Sequence, residues 1–449
     1  MIFKKIKSST KVYSFPRGGM TFIDPSVPSR DSCETAFLPS LSIIPLIQHS
    51  GGRAYPVVSA GETVREGMLI GRGWGFGSAN VHASVPGRVV RMVSWRSSGG
   101  QVLEGFLIRL EGTFEKLGRQ TEVYPWESML PHDILRTITD FGVVEMEGGG
   151  KPVSEIITSL RSTADPVTLV VRCVFDDPWL AADYVLCRER AAAVAEGAAI
   201  AARCCKVSRI IYAISHNEKD LGEKFMAAGS RWGVSSSIVL VGSKYPQRNL
   251  RELELVLKNY ARKEGLDLGT VFALGPATLA AVHDAVKLRS PVLERYITVG
   301  GSAVKNPQIM KVRLGKRIGD IFNECGGFVG YPKRIASGSP LLGKLFNDLD
   351  EPVTKTTNAI FAILEGTRQE KREGCIGCGE CRNVCPVGLD PEEVYKRAIV
   401  DKRGIAKNVT ESQASECHGC GCCEVVCPSM LPLSTEIASS NRATGLGRN

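Results

Sequence analysis

Nine of the chain's fifteen cysteines fall in its last quarter, in two runs. The first is Cys375-x-x-Cys378-x-x-Cys381-x-x-x-Cys385-Pro386, and the second is Cys417-x-x-Cys420-x-x-Cys423-x-x-x-Cys427-Pro428. Three thiolates on a tight loop can hold three iron corners of a 4Fe–4S cube. The fourth cysteine has already turned away, and the proline ends the loop, so the fourth serves the other cube. We assign Cys375, Cys378, Cys381 and Cys427 to one cluster, and Cys385, Cys417, Cys420 and Cys423 to the other. Structural zinc sites use two separated C-x-x-C pairs, not a triple followed by Cys-Pro. Cys422 stands one residue off the pattern; using it for Cys423 would leave C-x-C and C-x₄-C spacings that fit no such run. It reads as a bystander packed beside the cube. His418 adds nothing to a full ligand set and reads as solvent-facing or as a support for the loop.

The elements around these cysteines must place them. Gly377, Gly379, Gly419 and Gly421 let the loops turn at positive φ and bring backbone N–H groups close to sulfur. After the first run comes GLDPEEVYKRAIV, residues 388–400. Asp390 can cap a helix there, Pro391 suits its first position, and Glu392 and Glu393 favour its positive end. Two cubes with crossed ligands pass single electrons and have no bond-making role. These residues therefore describe an electron carrier or an electron-carrying subunit.

Bulk composition narrows the class. The 449 residues leave room for about three domains. Hydrophobic residues make up 43% and charged residues 23%, as in a folded soluble protein. No apolar run reaches the ~18 residues of a membrane span, and no apolar core follows the basic start, so we expect no signal peptide. Thiols in such a chain stay reduced, which argues against a disulfide framework. The net charge is +9, with Lys4, Lys5, Lys7 and Lys11 near the start. That cluster fits a solvated, frayed terminus, or attraction to an anionic membrane face or acidic partner. No basic stripe interleaved with aromatics points to nucleic acid.

Residues 56–71 and 79–95 read as short strands broken at Ala60-Gly61 and Pro86-Gly87, a small β-sandwich or barrel. His82 reads as a hydrogen-bonded turn histidine with no partner ligand nearby. Strand-like runs at 167–175, 208–215 and 236–242, with a long alanine-rich helix at 183–205, imply a doubly wound α/β domain. Cys173, Cys187, Cys204 and Cys205 fit no metal spacing and read as small core residues. Residues 296–327 read as strand–turn–strand, a short helix, then Gly-Gly.

In this order the segments resemble the RnfC family, a component of the Rnf complex, the membrane-attached ion-translocating ferredoxin:NAD oxidoreductase. PLIQHSGGRAYPVV (45–58), VHASVPGRV (81–89), ITVGGSAVKNP (297–307), PLLGKLFNDLDEPVTKTTNAI (340–360) and the two cysteine runs carry the resemblance. It covers nearly the whole chain. It implies a multidomain α/β plus β protein: a barrel-sandwich domain over 1–125 and a Rossmann-like domain over 126–288, like the flavin-binding subunit of complex I. A soluble-ligand-binding β-grasp module over 289–355, a two-cluster ferredoxin-like domain over 356–436 and a disordered tail over 437–449 follow. It also implies peripheral attachment to membrane-embedded Rnf subunits at the cytoplasmic face of the inner membrane. Ferredoxin or flavodoxin, and NAD(H), are the redox partners the family implies.

The α/β domain departs from the family. Where the family has G-I-V-G-M-G-G-A-G-F-P, this chain has GVVEMEGGGKP, with Glu145 and Glu147 at two glycine positions and Lys151 at the aromatic. Those glycines let bare backbone N–H groups meet phosphate. A carboxylate about 4–6 Å from a phosphate costs on the order of 3–4 kcal/mol before screening. The family's N-G-x-E-C-E-P-Y is here RCVFDDPWLAADY (172–184), keeping acid and turn at Asp176, Asp177 and Pro178. Its Q-N-V-G-T corresponds to FALGPAT (272–278), with Ala273 at the asparagine. We therefore expect two 4Fe–4S clusters and an FMN/NAD(H) pocket weakened or lost, with Gly148, Gly149, Gly150, Asp176 and Asp177 as its remaining residues. Two alternatives stand beside this: a fully active FMN-containing NADH dehydrogenase subunit, and a non-redox assembly subunit with structural clusters.

Overall fold

The computed structural model describes residues 11–24, 26–96, 101–114, 123–346, 348–364, 374–402 and 414–443. Lys4, Lys5 and Lys7 lie outside the described residues. The centre is a five-stranded, all-parallel sheet. Its order is Val12–Tyr13, Ser235–Val241, Arg209–Ser215, Val167–Cys173, Thr270–Leu274. The Val167–Cys173 strand is buried at every residue, as a strand covered on both faces must be. Leu169, Val171, Ile210 and Tyr212 face helices Ala182–Cys205, Lys219–Gly229 and Pro276–Lys287. Val170, Ile211 and Val239 face Leu253, Val256 and Tyr260 of helix Leu250–Glu264.

Small residues let two of these helices touch. Gly197, in Ala182–Cys205, packs against the Leu279 carbonyl, where a Cβ would sit 1.9 Å from the oxygen. That contact fixes helix Pro276–Lys287, whose first turn matters below. Cys173, Cys187, Cys204 and Cys205 are buried in this core, with the first two sulfurs 3.8 Å apart.

The barrel-sandwich pairs a four-stranded sheet (Leu41–Pro45, Val102–Leu110, Gly87–Arg96, Thr63–Val64) with a three-stranded one (Tyr55–Pro56, Leu69–Arg72, Val81–His82). Ile44, Ile70, Val89, Phe106 and Ile108 fill the space between them. His82 is in a strand, not a turn; its buried ring stacks on Phe141, and burial with nearby Lys355 holds it down to about 3. The third sheet has six strands of mixed direction, built on Glu294–Gly300 paired with Gln308–Arg313, and helix Ile318–Glu324 packs into its core.

Three expected boundaries move. The chain's start does not stay with the barrel: Val12–Tyr13 edges the parallel sheet, and Glu34–Thr35 pairs with Gln308–Arg313. Edge pairings of two residues leave no pattern in sequence. The third sheet does not stop at 355, because Ala359–Ile363 lies inside it, parallel to Glu294–Gly300. Residues 437–443 are not a loose tail; they belong to helix Leu433–Ala443, where Ile437 packs on Val394 and Ala414. Residues 444–449 lie outside the described residues. No helix among the described residues is long and apolar enough to cross a membrane.

Lys355 clamps three of these units together. Its buried ammonium donates to the carbonyls of Asn80 and Gly142, each at 2.8 Å, and burial pulls it down to about 7. Lys355→Met keeps the apolar stem but leaves two buried carbonyls without their donor. We expect a loss on the order of 2–4 kcal/mol, seen as a lower thermal unfolding midpoint. An unchanged midpoint would show that the junction does not depend on this side chain.

Candidate functional site

The two cysteine runs fold as matching halves. Each loop turns at two left-handed glycines, Gly377 and Gly379 in one (φ +70° and +75°), Gly419 and Gly421 in the other (φ +70° and +79°). Each then enters a one-turn helix, Glu380–Asn383 or Cys422–Val425. Backbone amides point at the sulfurs in the same pattern. Gly377 N–H meets Cys375 Sγ at 3.4 Å, and Gly419 N–H meets Cys417 Sγ at 3.4 Å. Leu389 N–H meets Cys385 Sγ at 3.2 Å, and Leu431 N–H meets Cys427 Sγ at 3.5 Å. Helix Pro391–Lys402 follows the first run as expected, with Asp390 accepting from the Glu393 N–H.

The structure sorts the cysteines around two small, separate cavities. Cys375, Cys378, Cys381 and Cys427 line the first. Cys385, Cys417, Cys420 and Cys423 line the second, and Cys422 is there too. Each cavity thus gathers the first three pattern cysteines of one run and the last of the other, with Cys422 an additional thiol in the second. Among the described residues, no three His, Cys, Asp or Glu side chains converge as ligands of a single ion would. Sulfurs spread around a space, with amides aimed at them, suit a multi-iron group better than zinc. Burial pushes the Cys417 thiol up to about 11, so a thiolate there needs a cation beside it.

The two cavities differ in surroundings. Cys375 and Cys378 are exposed, and Ile376 between them is 65% exposed. The second cavity is held against the α/β domain. Tyr245 O–H donates to the Cys420 carbonyl at 2.8 Å, and Arg251 donates to the Glu416 carbonyl at 2.7 Å. His418 sits 2.8 Å from a buried Glu252 oxygen and 3.0 Å from Asn249. Of the two roles expected for His418, the structure gives it the supporting one.

The residues expected at a flavin pocket enclose a buried charge cluster. Glu145 accepts from Gly150 N–H at 3.2 Å and from Arg172 at 3.3 Å. Gly150 turns at φ +68°, while Gly148 lies against the Glu145 carboxyl and Gly149 is open on its Cβ side. Glu147 reaches the start of helix Pro276–Lys287, where it accepts from Thr278 N–H at 3.0 Å and from the Thr278 hydroxyl. Arg248 bonds Asp183 at 2.7 Å, and its N–H donates to Asp176 at 2.9 Å. Asp177 caps the Pro178–Leu180 turn through Trp179 N–H at 3.0 Å. Arg295 is buried beside Glu147, Asp183 and Glu145.

Two corrections follow. Glu145 and Glu147 do not project into open space: Glu145 is taken up by Gly150 N–H and Arg172, and Glu147 by Thr278. Ala273 does not face this site: it lies inside the Thr270–Leu274 strand, opposite Val170, and packs on the other side of the sheet. Gly275 is the residue at the turn, and a Cβ on it would meet the Glu147 carboxyl carbon at 2.2 Å. A flavin phosphate does not fit a helix start already filled in this way. Sequence reasoning also missed Arg172, Arg248, Arg295, Tyr245 and Glu252. Glu252 carried no signal, since a glutamate in a charged helix reads as solvated.

Comparison with known proteins places this geometry. The RnfC barrel sandwich hybrid domain matches residues 17–113, the Nuo51 FMN-binding domain 138–282, and the 4Fe-4S dicluster domain 371–431. The C component of the ion-translocating oxidoreductase complex of Rhodobacter capsulatus is 33% identical over 381 residues, 83% of this chain and 73% of that protein. The chain belongs to the RnfC family of ion-translocating oxidoreductase complexes. The corresponding component of the proton-translocating ferredoxin:NAD(+) oxidoreductase complex of Clostridium ljungdahlii is 30% identical, covering 80% of this chain and 78% of its own. The Na(+)-translocating counterpart of Acetobacterium woodii is 28% identical, covering 81% and 83%. The family resemblance and the fold class drawn from sequence both hold, and the dicluster match makes this an iron–sulfur member.

Asp176 gives a pH test of the charge cluster. Burial pushes its carboxyl up to about 7, with the charge of Asp177 adding, and its Oδ1 has no partner among the described residues. The native form therefore keeps a proton that the unfolded chain releases above its ordinary 3.8. Stability contributed by this group falls as pH rises from there to about 7. Asp176→Asn can still accept from Arg248 but does not titrate. We expect the variant to unfold at higher temperature than wild type near pH 8, with the difference vanishing near pH 4. Equal pH sensitivity in both would mean Asp176 is ionised throughout.

Proposed function

We propose that this chain is the peripheral electron-transfer subunit of a membrane-bound Rnf complex, carrying two 4Fe–4S clusters at the cytoplasmic face of the inner membrane. In the complex, electron exchange between a soluble carrier (ferredoxin or flavodoxin) and NAD drives ion movement through other, membrane-embedded subunits. One observation carries the reading: two cysteine cavities of similar size, each completed by the last cysteine of the opposite run. Cys375, Cys378, Cys381 and Cys427 hold one group, and Cys385, Cys417, Cys420 and Cys423 the other. A bound 4Fe–4S group supplies one-electron transfer. The chain's residues set its surroundings. The Cys375–Cys378 loop, with exposed Ile376, offers the outer group to a partner protein, and the Tyr245, Asn249 and Glu252 contacts seat the inner group on the α/β domain.

The Nuo51 FMN-binding match favours a second reading. There Gly148, Gly149, Gly150, Asp176 and Asp177 hold FMN and NAD(H), and the protein oxidises or reduces the nicotinamide itself. The two readings differ in one count. Chain purified anaerobically with ample iron is expected to carry about eight irons and eight labile sulfides, and FMN separates the readings. Zinc in place of iron, or no chromophore bleached by dithionite, would end both.

The crossed assignment is tested by single substitutions. Cys427→Ser and Cys385→Ser are each expected to remove one distinct cluster signal in electron paramagnetic resonance, each acting on the cluster built mainly from the other run. Cys422→Ala is expected to keep both signals and about eight irons. Loss of a signal on Cys422→Ala would make Cys422 a ligand in place of Cys423.

A further inference from the structure

The helix Pro276–Lys287 begins without a capping side chain from its own N-cap residue, Gly275. The first amides of a twelve-residue helix have no partners within it and carry partial positive charge, which draws an anion. In this chain the anion is already there. Glu147 Oε1 accepts from Thr278 N–H at 3.0 Å, and Oε2 accepts from the Thr278 hydroxyl. Met146 N–H donates to the same hydroxyl at 2.9 Å, so the loop lies directly on the helix start. The second source of donors in such a site is the glycine-rich loop. Its Gly150 N–H is taken by Glu145.

Charge agrees with geometry. Arg172 and Arg295 are buried around these carboxylates with Arg248 partly buried beside them, and Arg172 also donates to the Glu147 carbonyl at 3.3 Å. Two guanidiniums in so dry a place, with a third at its edge, need anions close by. Burial, Asp183 and Glu145 push Glu147 toward the neutral acid, while Thr278 and Arg295 oppose them. The two donors from Thr278 leave both Glu147 oxygens as acceptors, the arrangement of a carboxylate rather than an acid.

We propose that Glu147, assisted by Glu145, is a resident anion that fills the phosphate seat of the α/β domain from within and closes it to FMN and other phosphate esters. Glu147 replaces the ligand it excludes. It neutralises the buried arginines, caps the helix and holds the loop down without a nucleotide. A domain closed in this way leaves electrons to pass by protein contact, not through a flavin bound here. The inference rests on the electron-transfer reading for what the seat would otherwise hold. The two are tested apart, since iron and sulfide report on the clusters and ligand titration reports on the seat.

The test uses the full chain, purified anaerobically, as wild type, Glu147→Gly and Glu147→Gln. The probes are FMN, riboflavin and inorganic phosphate, read by flavin fluorescence and by thermal shift. Wild type is expected to purify without flavin and to show no saturable FMN binding. Glu147→Gly empties the seat and is expected to bind FMN at least tenfold more tightly than riboflavin, with phosphate competing. Glu147→Gln keeps the shape and an oxygen for Thr278 N–H, and is expected to stay closed. Stoichiometric FMN in wild type would overturn the proposal. So would a Glu147→Gly chain with full iron content and no response to FMN or phosphate. Opening by Glu147→Gln as large as by Glu147→Gly would assign the closure to charge alone and overturn occupancy. Should Glu147→Gly fail to fold, the wild-type and Glu147→Gln titrations still decide.

Discussion

Each cysteine loop reaches completion only through the other. A triple on a tight turn leaves its cavity one sulfur short, and the missing sulfur comes from beyond the opposite run's last helical turn. The chain must therefore bring both loops together before either cavity is complete. Helices Pro391–Lys402 and Leu433–Ala443 meet that requirement by packing Val394 against Ile437. Leu431 and Leu433 fill the gap between Cys381 and Cys423. Metal binding in such a fold is also folding energy, because the ligands are remote in the unfolded chain. The inner cavity is further tied to the α/β domain, so this constraint spreads beyond the cysteine-rich segment.

The second organising feature is electrostatic. Glu145, Glu147, Arg172, Asp176, Asp177, Asp183 and Arg295 are buried where strands of the parallel sheet end, with Arg248 partly buried against them. Such burial is tolerable only with partners, and removal of one member strands the rest. In a nucleotide-binding domain some of that compensation comes from the ligand. Here the loop's carboxylates provide it, so the domain keeps its shape without depending on a bound phosphate. Arg248 links this cluster to the cysteines, since its near neighbours along the chain, Asn249 and Arg251, contact His418 and Glu416. The Nuo51-like fold can thus persist as a platform for the inner cluster seat.

What the sequence by itself determined is local. Cysteine spacing, the glycines that must turn at positive φ, the capped helix at Pro391 and the strand–helix alternation all depend on neighbours within a few residues. Each was legible for that reason. The glutamates at 145 and 147 were legible as changes of charge, and their cost to a phosphate follows from Coulomb's law alone. Where their side chains point was not. Glu147 meets Thr278 across 131 residues, beside the point where Gly197 lets two helices close up on the Leu279 carbonyl. The same reason explains Ala273, displaced by the strand register; the Ala359–Ile363 strand, claimed by a sheet built earlier in the chain; and Ile437, buried by a partner that an amphipathic tail does not name. Tertiary structure decided these because it sets which distant groups share one desolvated space, and there a carboxylate can be either a repulsion or the anion the site requires.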